Sequence, residues 1–265
     1  MIKRREITCA AMMLCAVGLP LRALGKATNT TLYNFTNGSD GRNPQFGLTK
    51  LGATIYGGTV YGGANGQGVY FSITDSGQFT IVHTVTGNGD ATPYEPMLAA
   101  NGALYGYGCN SESCVLYRMT PDGAQNIVYA FTGENAPLIP EGVPVELNGK
   151  FYGISEEGGS ANAGVVFSVS KAGKMEALHT FDVKDGADAQ TGLTIMDGTL
   201  YGVTSQGGPE NSGDGTAFSV TPDGAFTLLY SFEGDAVGFS PYGTLLAVNG
   251  TLYGTTDEGG SSYYR

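Results

Sequence analysis

The side chains in this sequence best suited to chemistry are carboxylates. Asp40, Glu156, Glu157, Asp185, Asp188, Asp235, Asp257 and Glu258 fall in stretches such as SDGRN, SEEGG, KDGADAQ and TDEGG, whose Gly, Asn and Ser content marks them as loops. Grouped carboxylates support three kinds of chemistry. Their summed field attracts cations or basic partners, and their hard oxygens bind calcium. Two carboxyls held several ångströms apart can also cleave a glycosidic bond, one as acid and the other as base or nucleophile. A structural calcium would draw on SDGRN, KDGADAQ or NSGDG, none of which has EF-hand spacing. The sequence selects no catalytic pair among these acids, and no catalytic residue, metal ligand or cofactor is assigned.

Nucleophilic catalysis has less support. Serine is frequent, but no Gly-x-Ser-x-Gly elbow occurs, so a hydrolase serine would lack its usual turn. The two histidines, His83 and His179, lie in IVHTV and ALHTF, which align with TLYNF, IVYAF and LLYSF. They hold the place of Tyr33, Tyr129 and Tyr230 and read as substitutes for tyrosine on a strand, not as an acid and base pair. Cys109 and Cys114 in GCNSESCVL have no His or third Cys nearby, a poor metal site. In an oxidising compartment such a pair closes a small disulfide loop.

The N-terminus points to that compartment. Lys3, Arg4 and Arg5 precede the mainly apolar run from Ile7 to Leu19, followed by Pro20 and the small-x-small sequence Ala23 to Gly25. This is the pattern of a signal peptide over residues 1–25, and the apolar run is too short for a membrane span. Arg4-Arg5 also suits a twin-arginine export route. The segment carries Lys3, Arg4, Arg5 and Arg22 against Glu6, so its removal takes the net charge from -11 to -14. An exported chain this acidic lacks the basic surface that nucleic acid requires. Within residues 26–265 no transmembrane segment is expected.

The loop acids must be positioned by short strands. Glycine, at 43 of 265 residues, is far above the roughly 7% of an average protein, which favours many strands joined by tight turns. Tyr-Gly pairs recur at Tyr56, Tyr105, Tyr152, Tyr201 and Tyr253, a regular spacing that marks tandem repeats. Each unit reads as four strands. The first two, as in GTLLAV and TLYGTT, flank an Asn-Gly or Asp-Gly pair, the signal for a type I′ hairpin. A Gly-Gly loop leads to the third strand, as in GTAFSV, and a TPDG turn leads to the fourth, as in FTLLYSF. The units run approximately over 45–94, 95–142, 143–190, 191–239 and 240–265, with a lone fourth-type strand at 31–35 ahead of them.

The string NGTLYGTT, a Gly-Gly, then GTAFSVTPDG and LYSF resembles the GloVer (Gloeo_Verruco) tandem repeat and is similar, more loosely, to the kelch blade. The resemblance covers about residues 31–265 and implies an all-β, propeller-like fold in exported bacterial proteins. It implies no catalytic residues. The expected architecture is a β-propeller of about five four-stranded blades, the last incomplete. Either the strand at 31–35 closes onto that blade, or the polypeptide supplies further strands. Strand direction places the Gly-Gly loops and the long loops between units on one face, which collects most of the acids. The expected function is a secreted or cell-surface, noncatalytic module whose acidic face meets a glycan, a surface protein or a cation. A carbohydrate-active enzyme with carboxylates at the propeller funnel, and a purely structural scaffold, are the alternatives.

Overall fold

The computed structural model describes residues 13–18, 28–87, 90–109, 113–209, 213–234 and 238–260, and among these it contains strands and no helix. Strands β1 (Met13–Gly18) and β2 (Thr28–Asn34) pair antiparallel. The first repeat sheet then runs β3 (Thr49–Leu51), β4 (Thr54–Thr59), β5 (Val69–Ile73) and β6 (Phe79–Thr84). The second contains β7 (Thr92–Pro93), β8 (Leu98–Ala100), β9 (Ala103–Cys109), β10 (Cys114–Met119) and β11 (Gln125–Phe131). The third is β12 (Pro137–Leu147), β13 (Lys150–Gly158), β14 (Val165–Ser170) and β15 (Met175–Thr180). The fourth is β16 (Thr194–Met196), β17 (Thr199–Thr204), β18 (Thr216–Val220) and β19 (Phe226–Ser231). A fifth, partial unit follows. In it β20 (Phe239–Pro241) pairs with β23 (Thr256–Glu258), and β21 (Leu246–Val248) pairs with β22 (Thr251–Tyr253).

The hairpin turns between first and second strands take the conformation their sequence demands. Asn101-Gly102, Asn148-Gly149, Asp197-Gly198 and Asn249-Gly250 all have positive φ at both positions, as a type I′ turn requires. The apolar cores lie between successive sheets. Tyr152, Ile154 and Val166 of the third unit pack with Leu200 and Phe218 of the fourth, while Phe131 and Leu116 of the second pack with Phe167 and Val169 of the third. Because both faces of a sheet are covered, β9 and β14 are buried along nearly their whole length instead of alternating. Sheets stacked face to face in chain order, each an antiparallel meander, make a β-propeller.

First strands lie on the inside of this stack. The Thr49 hydroxyl donates to the Met97 carbonyl at 2.5 Å, and the equivalent Thr194 hydroxyl donates to the Leu245 carbonyl. The inner strands are also interrupted at one common place. β7 and β8 flank residues 94–97, β12 shifts register between Glu141 and Val145, and β20 and β21 flank residues 242–245. Such interruptions turn side chains away from the sheet plane.

β2 pairs with β1 and not with the fifth unit. Its Tyr33 and Leu32, with the adjoining Phe35, pack on Phe71, Ile73 and Phe79 of the first sheet. β1 falls within the stretch read as a signal peptide. Cys109 and Cys114 face each other across β9 and β10 and are joined by a disulfide. Closing so short a loop restrains the unfolded chain by about 2 kcal/mol. Urea denaturation with and without reductant should show a loss of that size, and Cys109→Ser with Cys114→Ser should reproduce it.

Candidate functional site

The loops that carry the acids are held by repeated side-chain clasps. Near the end of the second strand in the first, third and fourth units a buried hydroxyl accepts from the backbone N–H of the third strand and donates to the loop that follows. Thr59 does so with Val69 N and Tyr61 O, Ser155 with Val165 N and Glu157 O, and Thr204 with Thr216 N and Gln206 O. This fixes Glu156 and Glu157 in the third unit and Ser205 and Gln206 in the fourth.

The loops between units are clasped by aspartates. Asp40 accepts from Tyr33 Oη at 2.9 Å, from Thr36 N and Thr36 Oγ1 at 2.7 Å each, and from Gly38 N at 3.3 Å. Burial alone would raise its pKa, but these bonds outweigh burial and hold it below the ordinary carboxylate value. The same device recurs with histidine. His179 Nε2 lies 2.8 Å from Asp185 Oδ2, and His83 Nε2 lies 3.4 Å from Asp90 Oδ2. His179 stacks on Phe226 at 3.7 Å between ring centroids, as Tyr33 stacks on Phe79 at 3.8 Å. His179 therefore does what Tyr33 does at this position, stacking its ring on a fourth-strand Phe and bonding its own loop aspartate, while His83 stands beside Asp90 in the equivalent place. Asp40 and Asp185 accordingly serve as loop clasps. Asp40→Ala should lower stability by about 2 kcal/mol and leave binding at the inner face unchanged; urea melts and a titration on the same protein check both halves.

Four of the other loop acids line two adjoining cavities. Asp188 and Asp257 line a cavity of about 510 Å³ with Gln190, Ser205, Gln206 and Tyr242. Glu156, Glu157 and Asp188 line an adjoining one of about 330 Å³. Asp188 is the hub, accepting from Gln206 Nε2 at 2.7 Å, Ser205 Oγ at 3.1 Å and Gln190 Nε2 at 3.2 Å. Glu258 lies on β23, paired in register with Phe239. Asp235 lies outside the described residues.

Next to this hub stands a group that the loop composition does not reveal. Glu141 is buried on β12, with Tyr94 Oη donating to its Oε1 at 3.4 Å. Burial, then the charges of Glu95 and Glu156, raise the Glu141 pKa to about 8. Burial raises Glu95, and burial with the neighbouring Asp188 raises Glu156. Burial and the charge on Glu141 push Tyr94 to about 12. Near neutral pH Glu141 is thus largely protonated, able to donate a hydrogen bond from within an acidic cluster. Tyr94, Glu141, Gln190 and Tyr242 stand at one repeat position, equally far ahead of the turn residues Asn101, Asn148, Asp197 and Asn249. Aligning the units on those turns exposes the series. Among the described residues no group of three or more His, Cys, Asp or Glu has metal-binding geometry. No helix there is long and apolar enough to cross a membrane.

The fold and the inward-facing loops define a β-propeller with a polar, acidic funnel. Residues 138–265 match the Gloeobacter/Verrucomicrobia repeat. Among solved structures the chain is similar to the catalytically inactive H270A virginiamycin B lyase from Staphylococcus aureus with quinupristin. That match has 16% identity, 92% of this chain, 77% of the other and a TM-score of 0.58. The selenomethionine form of that lyase matches at 15% identity over 88% of this chain and 67% of the other, with a TM-score of 0.55. A protein of unknown function from Bacteroides thetaiotaomicron matches at 12% identity over 72% of this chain, with a TM-score of 0.48, and the chain spans only 44% of it. At these identities the likeness concerns the fold alone. No curated protein matches the chain in sequence.

Proposed function

We propose that the chain is an exported, noncatalytic propeller module that holds a glycan in the funnel formed by Tyr94, Glu141, Gln190, Tyr242, Glu156 and Asp188. The observation that carries this reading is the repeat position itself. Successive units place a phenol, a carboxyl, an amide and a second phenol there, beside the acceptors of Asp188 and Asp257. Hydroxyl-rich ligands need donors and acceptors in alternation together with ring faces to cover their apolar patches. A protonated Glu141 supplies a donor that ionised acids alone would not. Export rests on residues 1–25, and a place outside the cytoplasm suits a glycan partner. The test is calorimetric titration with neutral oligosaccharides from a glycan array. Gln190→Ala and Tyr242→Ala should each weaken binding at least about tenfold, and no array member bound by the parent in a way these variants leave intact should exist.

One observation favours a second reading. Glu141 holds its proton close to neutral pH within the cluster that contains Glu156 and Asp188, so an acid and a base for glycoside cleavage are both present. Release of new reducing ends by the parent chain, lost in Glu141→Gln, would establish the enzyme and displace the binding module.

A further inference from the structure

In the second, third and fourth units the segment that delivers a funnel residue hangs on the end of a second strand. Thr92 and Pro93 of β7 pair with Cys109 and Gly108 just ahead of Tyr94. Pro140 pairs with Ser155 just ahead of Glu141, and Ala187 bridges Gln206 shortly ahead of Gln190. Each funnel residue is therefore only as well placed as that strand end. Hydroxyls secure the end in the first, third and fourth units. Thr59, Ser155 and Thr204 stand in register opposite Val69, Val165 and Thr216, whose N–H groups they bind.

The second unit has no such hydroxyl. Gly108 stands in its place, opposite Val115, and a Cβ on it would lie 2.6 Å from Ala91 Cβ and 2.6 Å from the Thr92 carbonyl oxygen. The segment entering β7 fills the space that the clasping side chain takes elsewhere, so this unit cannot hold both. One residue further along, Cys109 is flanked by Thr92 on one side and Cys114 on the other, and Cys114 is flanked in turn by Phe131. The disulfide joins the two middle strands of this row at the very end where β7 is attached. Ala91 is anchored separately: Tyr70 Oη donates to its carbonyl and its N–H donates to Gln125 Oε1, both at 3.0 Å. Beyond Ala91, β7 is paired with β9 alone.

We propose that Cys109 and Cys114 are a positioning pair for the funnel: their bond replaces the missing hydroxyl clasp, holds the end of β9 and so sets Tyr94 against Glu141. Breaking the bond releases β7 and Tyr94 while the second sheet stays folded, since Leu104, Tyr105, Leu116 and Tyr117 remain buried in its two cores. The break is a two-electron reduction by a dithiol, in which the S–S bond yields two thiols and the dithiol closes to its own disulfide. That Tyr94 touches a ligand rests on the funnel reading above. Its position is measured without any ligand, so either can fail alone.

The test is amide hydrogen exchange on the full chain under native conditions, before and after reduction with dithiothreitol. Exchange over residues 92–95 should accelerate at least about tenfold, while the hydroxyl-clasped ends of β4, β13 and β17 should change less than about twofold. Fluorotyrosine NMR with a soluble paramagnet gives a second readout, the Tyr94 signal being assigned by Tyr94→Phe. On reduction the paramagnet should relax Tyr94 more strongly and leave Tyr152 of β13 as it was, a contrast that general destabilisation would not produce. Cys109→Ser with Cys114→Ser should reproduce both changes, and the chemically reduced parent decides the matter if that variant fails to fold. Unchanged exchange and an unchanged Tyr94 signal in a chain whose thiols are shown to be free would overturn the proposal. Acceleration spread equally over all four complete units would do the same.

Discussion

Gly202→Ala should cost the chain about 3 kcal/mol of stability, whereas Gly254→Ala should change it by less than about 0.5 kcal/mol. Neither glycine has positive φ, so backbone strain does not enter and the difference is one of space. At Gly202 the new methyl would stand 2.5 Å from Phe218 Cζ and 3.0 Å from Leu193 Cδ2. Phe218 is fully buried between Phe181 and Phe226 and has nowhere to go. At Gly254 the sole neighbour among the described residues is the end of the Leu245 side chain, which can turn into the adjacent cavity. Urea denaturation of the two variants side by side makes the comparison. Equal losses would show that the glycine is required for a reason other than the ring above it.

Stability should fall as pH rises from about 5 to about 8, and Glu141→Gln should remove most of that slope. The Glu141 carboxyl has a folded-state pKa of about 8 against an ordinary 4.5, so the folded chain binds its proton more tightly than the unfolded chain. Below 4.5 both states are protonated and the contribution is complete. Above it the unfolded state loses the proton first, and folding must then keep a proton or bury a charge. The contribution is gone once pH passes 8. The loss is on the order of 3 kcal/mol across this window. Glu141→Gln keeps the shape without the ionisation, so it should match the parent near pH 4.5 and exceed it in stability at pH 8.5. Glu95 and Glu156, also raised, leave a smaller residual slope in the variant. Thermal melts across the range would sink the assignment if parent and variant ran parallel.

The sheets were legible in the sequence because their signals are local. An Asn-Gly turn, a TPDG turn and apolar runs between them specify a meander without reference to anything distant. The histidines were legible for the same reason, since alignment with Tyr33 and Tyr230 already placed them on fourth strands. The funnel was legible only in part. Glu156 and Asp188 stood out as acids in glycine-rich loops, and both reach the inner cavities. Asp40 and Asp185 stood out equally, but their lone pairs are taken by their own loops, a competition that composition does not record. Glu141, in an apolar stretch of β12, carries no loop signature. Its importance arises from burial beside Glu95 and Glu156, a property of three segments meeting in space.

The strand order bears on how the molecule is made. In the four complete sheets every hydrogen-bonded neighbour is close by in the chain, and only β20 with β23 spans an intervening hairpin. Contacts of such short range form quickly, since little loop-closure entropy stands in their way. A polypeptide emerging N-terminus first can therefore finish each sheet while the next is still being delivered, and lay it on the one before. Assembly becomes a directional stacking of finished layers, in which the last layer laid down always presents the growing end.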